Sequence, residues 1–407
     1  MSVAATSPEA LPRGACPTLP APMATGDGLL ARLAPAEALT PAQAAGLAAL
    51  ARDCGNGILE VTARGKLQVR GLDPAGAGRL AEGVGALRIA VREGLGIETS
   101  ALAGRDPAEV FDPRLLAAAL AEAAAAAGLA ARLAPKVSIG IDGGGGLGLA
   151  GRDLDIAVSP AGAEFRIEAA GMTLGRTPAP VPAVLALLER LAAFGPRARM
   201  RDLVAAEGEG ALGAGLQPAD PREAVPGEPV GRHMLASGWA LGVGLPFGQI
   251  EAETLEALAD TAAQRGATFI EPAGGRALLI GALDDGGADG LADWATAAGL
   301  IVDAGDPLRR VEACPGAPAC GAARFATRGL ARELARDLAG LAKGRSVHVS
   351  GCVKGCAHPG RAGLTIVGLD EGAGIVIEGT ARDMPARIVR FDELASAVRG
   401  FLESSRG

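Results

Sequence analysis

VHVSGCVKGC, residues 347–356, is answered 210 positions earlier by VSIGIDGGGG, residues 137–146. The stretches that follow, LTIVGL from Leu364 and LDIAVS from Leu154, keep the same offset. Upstream, the helical run from Leu39, LTPAQAAGLAALA, answers the run from Ile250, IEAETLEALADTA, at 211, and Arg64 answers Arg276 at 212. Landmarks in the same order at nearly constant spacing predict an internal duplication, with halves over 25–205 and 235–405. Each half opens with a short strand (LLARL, ALGVGL), then a helix, then a strand pair (ILEVT and KLQVR; TFIEP and ALLIG). A further helix (RLLAAALAEAAAAAGLAARL; ATRGLARELARDLAGLAKG) leads into short alternating strands such as VHV, LTIV and IVIE. The predicted class is α+β, with small sheets covered by helices on one side. Glu207–Glu228, rich in Gly and Pro and poor in periodicity, reads as the link between halves.

The two answering stretches differ in cysteine. Cys314 and Cys320 form a C-x5-C pair, and Cys352 and Cys356 a C-x3-C pair about 30 residues on. Four thiolates are what a 4Fe-4S cluster requires. The glycines beside them, Gly351 and Gly355, allow close backbone approach and amide donors toward sulfur. A structural zinc site is the alternative, but zinc favours tighter knuckles than a C-x5-C containing two prolines. An offset of 210 puts Gly104, Val110, Asp142 and Gly146 where the thiolates would be in the first half. One cluster is therefore expected, in the second half. Cys16 and Cys54 stand apart; Cys54 precedes a Gly-Asn-Gly turn and reads as structural.

Composition narrows the class. At 407 residues the chain exceeds one small domain, and much of its 49% apolar content is Ala, with only 2% aromatic and 61 Gly besides. No run approaches the roughly 20 apolar residues of a spanning helix, since Glu122 and Arg132 interrupt the nearest, Leu115–Ala134. Met1–Met23 carries Glu9 and Arg13 and no apolar core of a secretory signal, so a cytoplasmic protein without membrane attachment is expected. A net charge of -7 argues against nucleic acid as a partner. Cysteines in a reducing compartment read as ligands or catalysts rather than disulfides. GIDGGGGLG, residues 140–148, lacks the lysine of a phosphate loop and reads as the degenerate counterpart of the cysteine loop, and no dinucleotide fingerprint appears elsewhere.

ACPGAPAC at 313–320, HVSGCVKGCAHP at 348–359 and GILEVTARGKLQVRGL at 57–72 together resemble the sulfite and nitrite reductase family across nearly the whole chain. RGACP at 13–17, TGDGLLARL at 25–33 and AHPG at 357–360 resemble its branch in aerobic cobalamin biosynthesis. The resemblance implies two ferredoxin-like half-domains, 15–80 and 231–300, a degenerate mixed α/β central domain at 85–205, a linker at 206–230 and a cluster-binding central domain at 301–407. It further implies a monooxygenase that takes precorrin-3A, dioxygen and reducing equivalents, hydroxylates the macrocycle and closes a γ-lactone. Cofactors would be a 4Fe-4S cluster on Cys314, Cys320, Cys352 and Cys356 and a mononuclear non-haem iron, with Cys356 nearest the macrocycle. Electrons would come ultimately from NADH, through a partner flavoprotein or ferredoxin. The alternative within the family is a sirohaem-dependent sulfite or nitrite reductase. Arg64 sits at the family's T-x-R position and Lys136 at its first lysine, but Ser138 replaces the second lysine and Leu95 the other arginine. Losing half of a small-anion clamp speaks against sulfite or nitrite.

Arg64, Lys66 and Arg70 alternate along a strand and share a face. Either they form a solvated basic edge, or Arg64 and Lys66, with Lys136 and Arg309 beside Arg310, neutralise the carboxylates of the macrocycle. His233, His348 and His358 are all the histidines the chain has. His358, two residues past Cys356, is the candidate catalytic group, against the commoner role of a structural histidine. No His and carboxylate spacing marks a second iron site. With no tyrosine in the chain, a tyrosyl radical or acid is excluded.

Overall fold

The computed structural model describes residues 17–222, 226–338 and 346–404; Cys16 lies outside them. The first half begins with β1 (Met23–Thr25), β2 (Gly28–Leu33), α1 (Pro41–Cys54), β3 (Ile58–Val61), β4 (Leu67–Leu72) and α2 (Pro74–Ala86). Its central part holds β5 (Gly96–Thr99), α3 (Pro113–Ala126), β6 (Ser138–Ile141), β7 (Ile156–Ala161), β8 (Glu164–Ala169), β9 (Met172–Thr177), α4 (Pro180–Phe194), α5 (Met200–Glu207) and α6 (Glu209–Leu212). The second half repeats the order with β10 (Gly231–Met234), β11 (Trp239–Gly244), β12 (Gln249–Glu251), α7 (Ala252–Gln264), β13 (Phe269–Ala273), β14 (Ala277–Leu283) and α8 (Asp285–Ala297). It closes with β15 (Val311–Ala313), α9 (Thr327–Leu338), β16 (Val347–Ser350), β17 (Ala362–Leu369), β18 (Gly372–Gly379), β19 (Arg387–Val389) and α10 (Leu394–Ser404).

Local chemistry starts the helices where the pattern predicts. Thr40 caps α1 with a reciprocal Gln43 bond and Pro41 in the first turn; Asp73 and Asp284 cap α2 and α8 in corresponding places. The buried stripe of α1 is Ala44, Leu47, Ala48 and Ala51, and that of α7 is Leu255, Leu258, Ala259 and Ala262, each pair 211 apart. The small alanines let the two helices approach and share one core with Leu33, Leu59, Ile270 and Ile280.

The two ferredoxin-like halves are interlocked. Leu39 and Ile270 exchange both backbone bonds, at 2.9 and 2.7 Å. Ile250 on β12 pairs with Leu59 on β3, which is the same contact moved by 211. The first sheet, ordered β1-β2-β4-β3-β12, thus takes its last strand from the second half. These segments build one domain with one core, and α2 runs past residue 80, where the first half-domain was expected to end. The turn register also corrects one landmark. Val61 faces Leu67 and Pro272 faces Leu278, so Gly65, not Arg64, is the counterpart of Arg276. Both adopt left-handed backbone, φ 73° and 63°.

The two central sheets share a topology, β5-β6-β7-β8-β9 and β15-β16-β17-β18-β19, with the first three strands of each parallel and the rest antiparallel. α3 and α9 make the crossover between the first two strands, and all four residues of β6 and of β16 are buried, as a covered parallel strand demands. The expected linker 206–230 is not free of structure. α5 ends and α6 lies within it, Gln217 pairs with Arg176, and Arg222 reaches Asp142 at 2.8 Å, so it packs back on the first central domain.

Candidate functional site

Both cysteine pairs sit at the carboxyl ends of neighbouring parallel strands. Cys314 follows β15, and Cys352 lies in the loop after β16. Cys314 is buried, Cys320 and Cys352 are half-buried and Cys356 is exposed. The backbone N–H of Gly351 donates to Sγ of Cys314 at 3.1 Å, and the Thr327 hydroxyl donates to the Cys314 carbonyl at 2.6 Å. A Cβ on Gly351 would stand 2.6 Å from Ala323 Cβ, and one on Gly316 would stand 2.4 Å from Thr327 Oγ1. The glycines are thus required for the two loops to meet, and an amide already aims at the Cys314 sulfur. None of the five described cysteines is in a disulfide. Cys54 lies in the α1 core. Among the described residues, no three His, Cys, Asp or Glu side chains converge on a single metal ion.

The corresponding place in the first half is filled by carboxylates. Glu312 faces His348 while Gly96 faces Ser138, so strand register gives an offset of 216 ahead of the first crossover. The counterpart of Cys314 is therefore Glu98, and that of Cys320 is Gly104, not the Gly104 and Val110 of constant counting. A pair of contacts agrees: Gly321 N–H donates to Gly26 O, and Ala236 N–H donates to Arg105 O. Glu98 is buried and paired with Lys66 at 3.4 Å and Arg152 at 3.2 Å. Asp142, in the place of Cys352, accepts from Gly144 and Leu149 N–H and from Arg222. A Cβ on Gly227 would lie 2.6 Å from the carbonyl of Gly146, so the connecting segment lies over the position answering Cys356.

The predicted cations scatter around this frame. Arg64 donates through Nη2 to Asp153 O at 3.0 Å, and Lys66 shares Glu98 with Arg152. Arg309 is paired with Glu228 at 2.5 Å. Lys136 is exposed at the amino end of β6, away from the Asp142 loop. Arg70 is committed to Asp27 at 2.6 Å and Glu60 at 3.0 Å, so it holds the sheet and is no free edge. The backbone of His233 belongs to β10, and its ring bonds Pro229 O.

Three groups near the cysteine loops were not singled out as site residues by sequence: Glu312 and Arg276 by the C-x3-C loop, and Arg328 on the side of Cys314. Glu312 Oε2 lies 3.2 Å from Arg276 Nη2 and 2.8 Å from His358 Nδ1, ion-pair contacts that leave this buried oxygen without a well-aligned hydrogen bond. Arg276 also reaches Ala357 O, next to Cys356. His358 Nε2 lies 3.1 Å from Arg361 O. The third group, Arg328, has its Nε and Nη2 shielded from solvent with no acceptor. Burial lowers its pKa and Arg70 adds to this, while Glu60, Cys314 and Asp27 oppose. A cavity of about 660 Å³ beside Ile375, Arg387 and Glu393 is lined by none of the cysteines.

His348 is fully buried, and neither ring nitrogen has a partner. Burial, with the nearby His358 and Arg276 and against Glu312, pushes its pKa down to about 4. The unfolded chain takes this proton near pH 6.5 and the native chain only near 4, so stability is full above about 6.5 and is lost as pH falls through that window. The loss should reach about 3 kcal/mol across it. Urea midpoints at pH 7 and pH 4.5 should separate clearly for the parent and much less for His348→Leu; equal separation would refute the assignment.

Residues 22–87 match the nitrite/sulfite reductase ferredoxin-like half domain family. A curated protein of Sinorhizobium sp. named precorrin-3B synthase is 37% identical over 406 residues, covering 95% of this chain and 87% of that protein. Among solved structures, the NirA protein of Mycobacterium tuberculosis superposes with a TM-score of 0.71 at 20% identity, covering 91% of this chain and 79% of that one. The latter likeness bears out the expected duplicated reductase fold. No helix among the described residues is long and apolar enough to cross a membrane.

Proposed function

Because the chain belongs to the precorrin-3B synthase family of nitrite/sulfite reductase-like proteins, we propose that it converts precorrin-3A to precorrin-3B in cobalamin biosynthesis. The reaction read here is a monooxygenation in which one oxygen atom enters the macrocycle, the other leaves as water, and a ring acetate closes the γ-lactone. The observation that carries this reading is the meeting of both cysteine pairs at adjacent strand ends, in a chain aligned nearly end to end with a precorrin-3B synthase.

Cys314, Cys320, Cys352 and Cys356 would hold a 4Fe-4S cluster, and the fit is supported by the Gly351 amide aimed at Cys314 and by the acceptor-less Arg328 nitrogens. When bound, such a group supplies single electrons. Arg64, Lys66 and Arg309 would neutralise the acetate and propionate groups, Lys66 and Arg309 by exchanging Glu98 and Glu228 for substrate carboxylates, while Lys136 at the amino end of β6 stands apart from this set. Orienting one acetate in this way favours ring closure. His358, beside Glu312 and the Arg361 carbonyl, would be the candidate catalytic group near the last cysteine. Reducing equivalents, ultimately from NADH, would arrive through a partner flavoprotein or ferredoxin, in a cytoplasmic setting.

Anaerobically purified protein should contain about four iron and about four sulfide per chain. With precorrin-3A under labelled dioxygen it should put one labelled oxygen into the product, read by mass spectrometry. A co-purifying sirohaem spectrum would replace this reading with a sulfite or nitrite reductase. Zinc without sulfide would remove the redox role, and unlabelled product would point to an oxygen-independent reaction.

A further inference from the structure

Arg328 is the second residue of α9, and Arg114 is the second residue of α3. The duplication therefore offers an internal control on what this arginine is for. In the half without thiolates it is neutralised, since Arg114 donates to Asp112 through Nε at 2.9 Å and Nη2 at 2.7 Å. A Cβ on Gly104, the counterpart of Cys320, would lie 1.9 Å from Arg114 Nη2. The guanidinium thus stands against the spot where the other half carries a ligand thiol.

In the cysteine-bearing half the residue ahead of the helix is Ala326, which brings no carboxylate. The carboxylates that bear on Arg328, Asp27 and Glu60, are already engaged by Arg70. Its neighbour Thr327 holds the Cys314 carbonyl, and the charge of Cys314 also falls on Arg328. A half-buried guanidinium whose Nε and Nη2 are shielded from solvent and lack acceptors is unfavourable unless an anion completes it.

We propose that Arg328 donates through Nε and Nη2 to anionic sulfur of the bound iron-sulfur group, at the Cys314 thiolate or an adjacent sulfide, and thereby favours its reduced state. This rests on the cluster reading above. One electron enters from the donor, no bond breaks and no proton moves. The reduced group carries one more negative charge than the oxidised one, so a fixed cation stabilises it more and raises its potential. Arg328 is a positioning residue, not a catalytic one.

The test is an EPR-monitored redox titration with dithionite of the parent, Arg328→Met, Arg328→Lys and, as a control in the vacant half, Arg114→Met, each with iron and sulfide counted. In Arg328→Met the equilibrium constant for reduction should fall about tenfold, a shift of about 59 mV to lower potential for a one-electron couple. Arg328→Lys should recover part of the shift, keeping charge without the planar fork, and Arg114→Met should match the parent. If Arg328→Met loses the cluster, Arg328→Gln carries the comparison. Loss from both neutral variants but not from Arg328→Lys, with an intact far-ultraviolet helical signal, would also support a cation acting on the group. Full cluster content with an unmoved potential overturns the inference and leaves the cluster reading standing. Absence of iron and sulfide from the parent overturns both.

Discussion

Replacing Cys352 by alanine is expected to empty the iron-sulfur site, from about four iron per chain to less than one, and to abolish formation of precorrin-3B. Among the described residues no other cysteine can supply the thiolate, because Cys54 is buried in the α1 core. Water is a poor substitute in a loop closed by the Ser350 hydroxyl on the Cys352 carbonyl at 2.7 Å. The fold should survive. In the first half the same loop is stable with Asp142 at the corresponding position, held by two backbone amides and Arg222. Cys54→Ala is the paired control. It should cost about 1 kcal/mol in stability by loss of a small buried group while leaving iron, sulfide and turnover at parental levels. Equal iron content in the two variants would remove the cysteines from the proposed site.

Asp155→Ala should produce the largest loss of stability without touching the cysteines. Asp155 is 3% exposed and accepts from Ser138 N–H at 2.9 Å, from Met200 N–H at 2.9 Å, and from Arg199 through both Nε and Nη2. Burial alone would raise its pKa, but Arg199 and the two amides together hold it below the ordinary carboxylate value. Removing the carboxylate leaves Arg199 half-buried without its partner and strips two amides of their acceptor. The expected cost is about 3–5 kcal/mol, typical of breaking a buried pair from one side. It should appear as a lower urea midpoint with an unchanged slope, and iron content should be unaltered. A change below about 1 kcal/mol would show that water replaces the carboxylate freely. The corresponding position in the other half is Thr365, which bonds Gly379 O. The two central domains therefore secure the same strand by different chemistry.

The scaffold was legible in the sequence because hydrophobic spacing survives duplication. The stripe Ala44, Leu47, Ala48 and Ala51 reappears position for position at 211, with Leu255 in the place of Ala44, since both faces bury against each other and cannot drift. The meeting of the cysteine pairs was legible for the same reason of local constraint, as each pair with its glycines is compact in sequence and closes one strand-end loop. Counting failed at Glu98. The segment from Glu98 to Gly140 is six residues longer than that from Cys314 to Ser350, and loop insertions are cheap enough in free energy to pass unseen by a constant offset. Arg64 was mismatched with Arg276 in the same way, by one residue in a turn. Arg152, Glu312 and Arg328 carried no signal, because their roles come from tertiary neighbours far away in the chain. Only register against the other half picks out Arg328, through Arg114.

The pairing of Ile250 with Leu59 also has a consequence for synthesis. A ribosome delivers residues in order, so β3 waits as an open edge while nearly two hundred further residues are made before β12 can cover it. During that interval the nascent first domain presents unpaired backbone groups to any other extended segment. Leu39 is in the same position, with Ile270 still to come. The central domain that lies between can complete its own sheet meanwhile, since every strand of it comes from 96–177. Nascent chains arrested after residue 222 should therefore show a protease-resistant central domain behind an unprotected amino-terminal one, the order of maturation running against the order of translation.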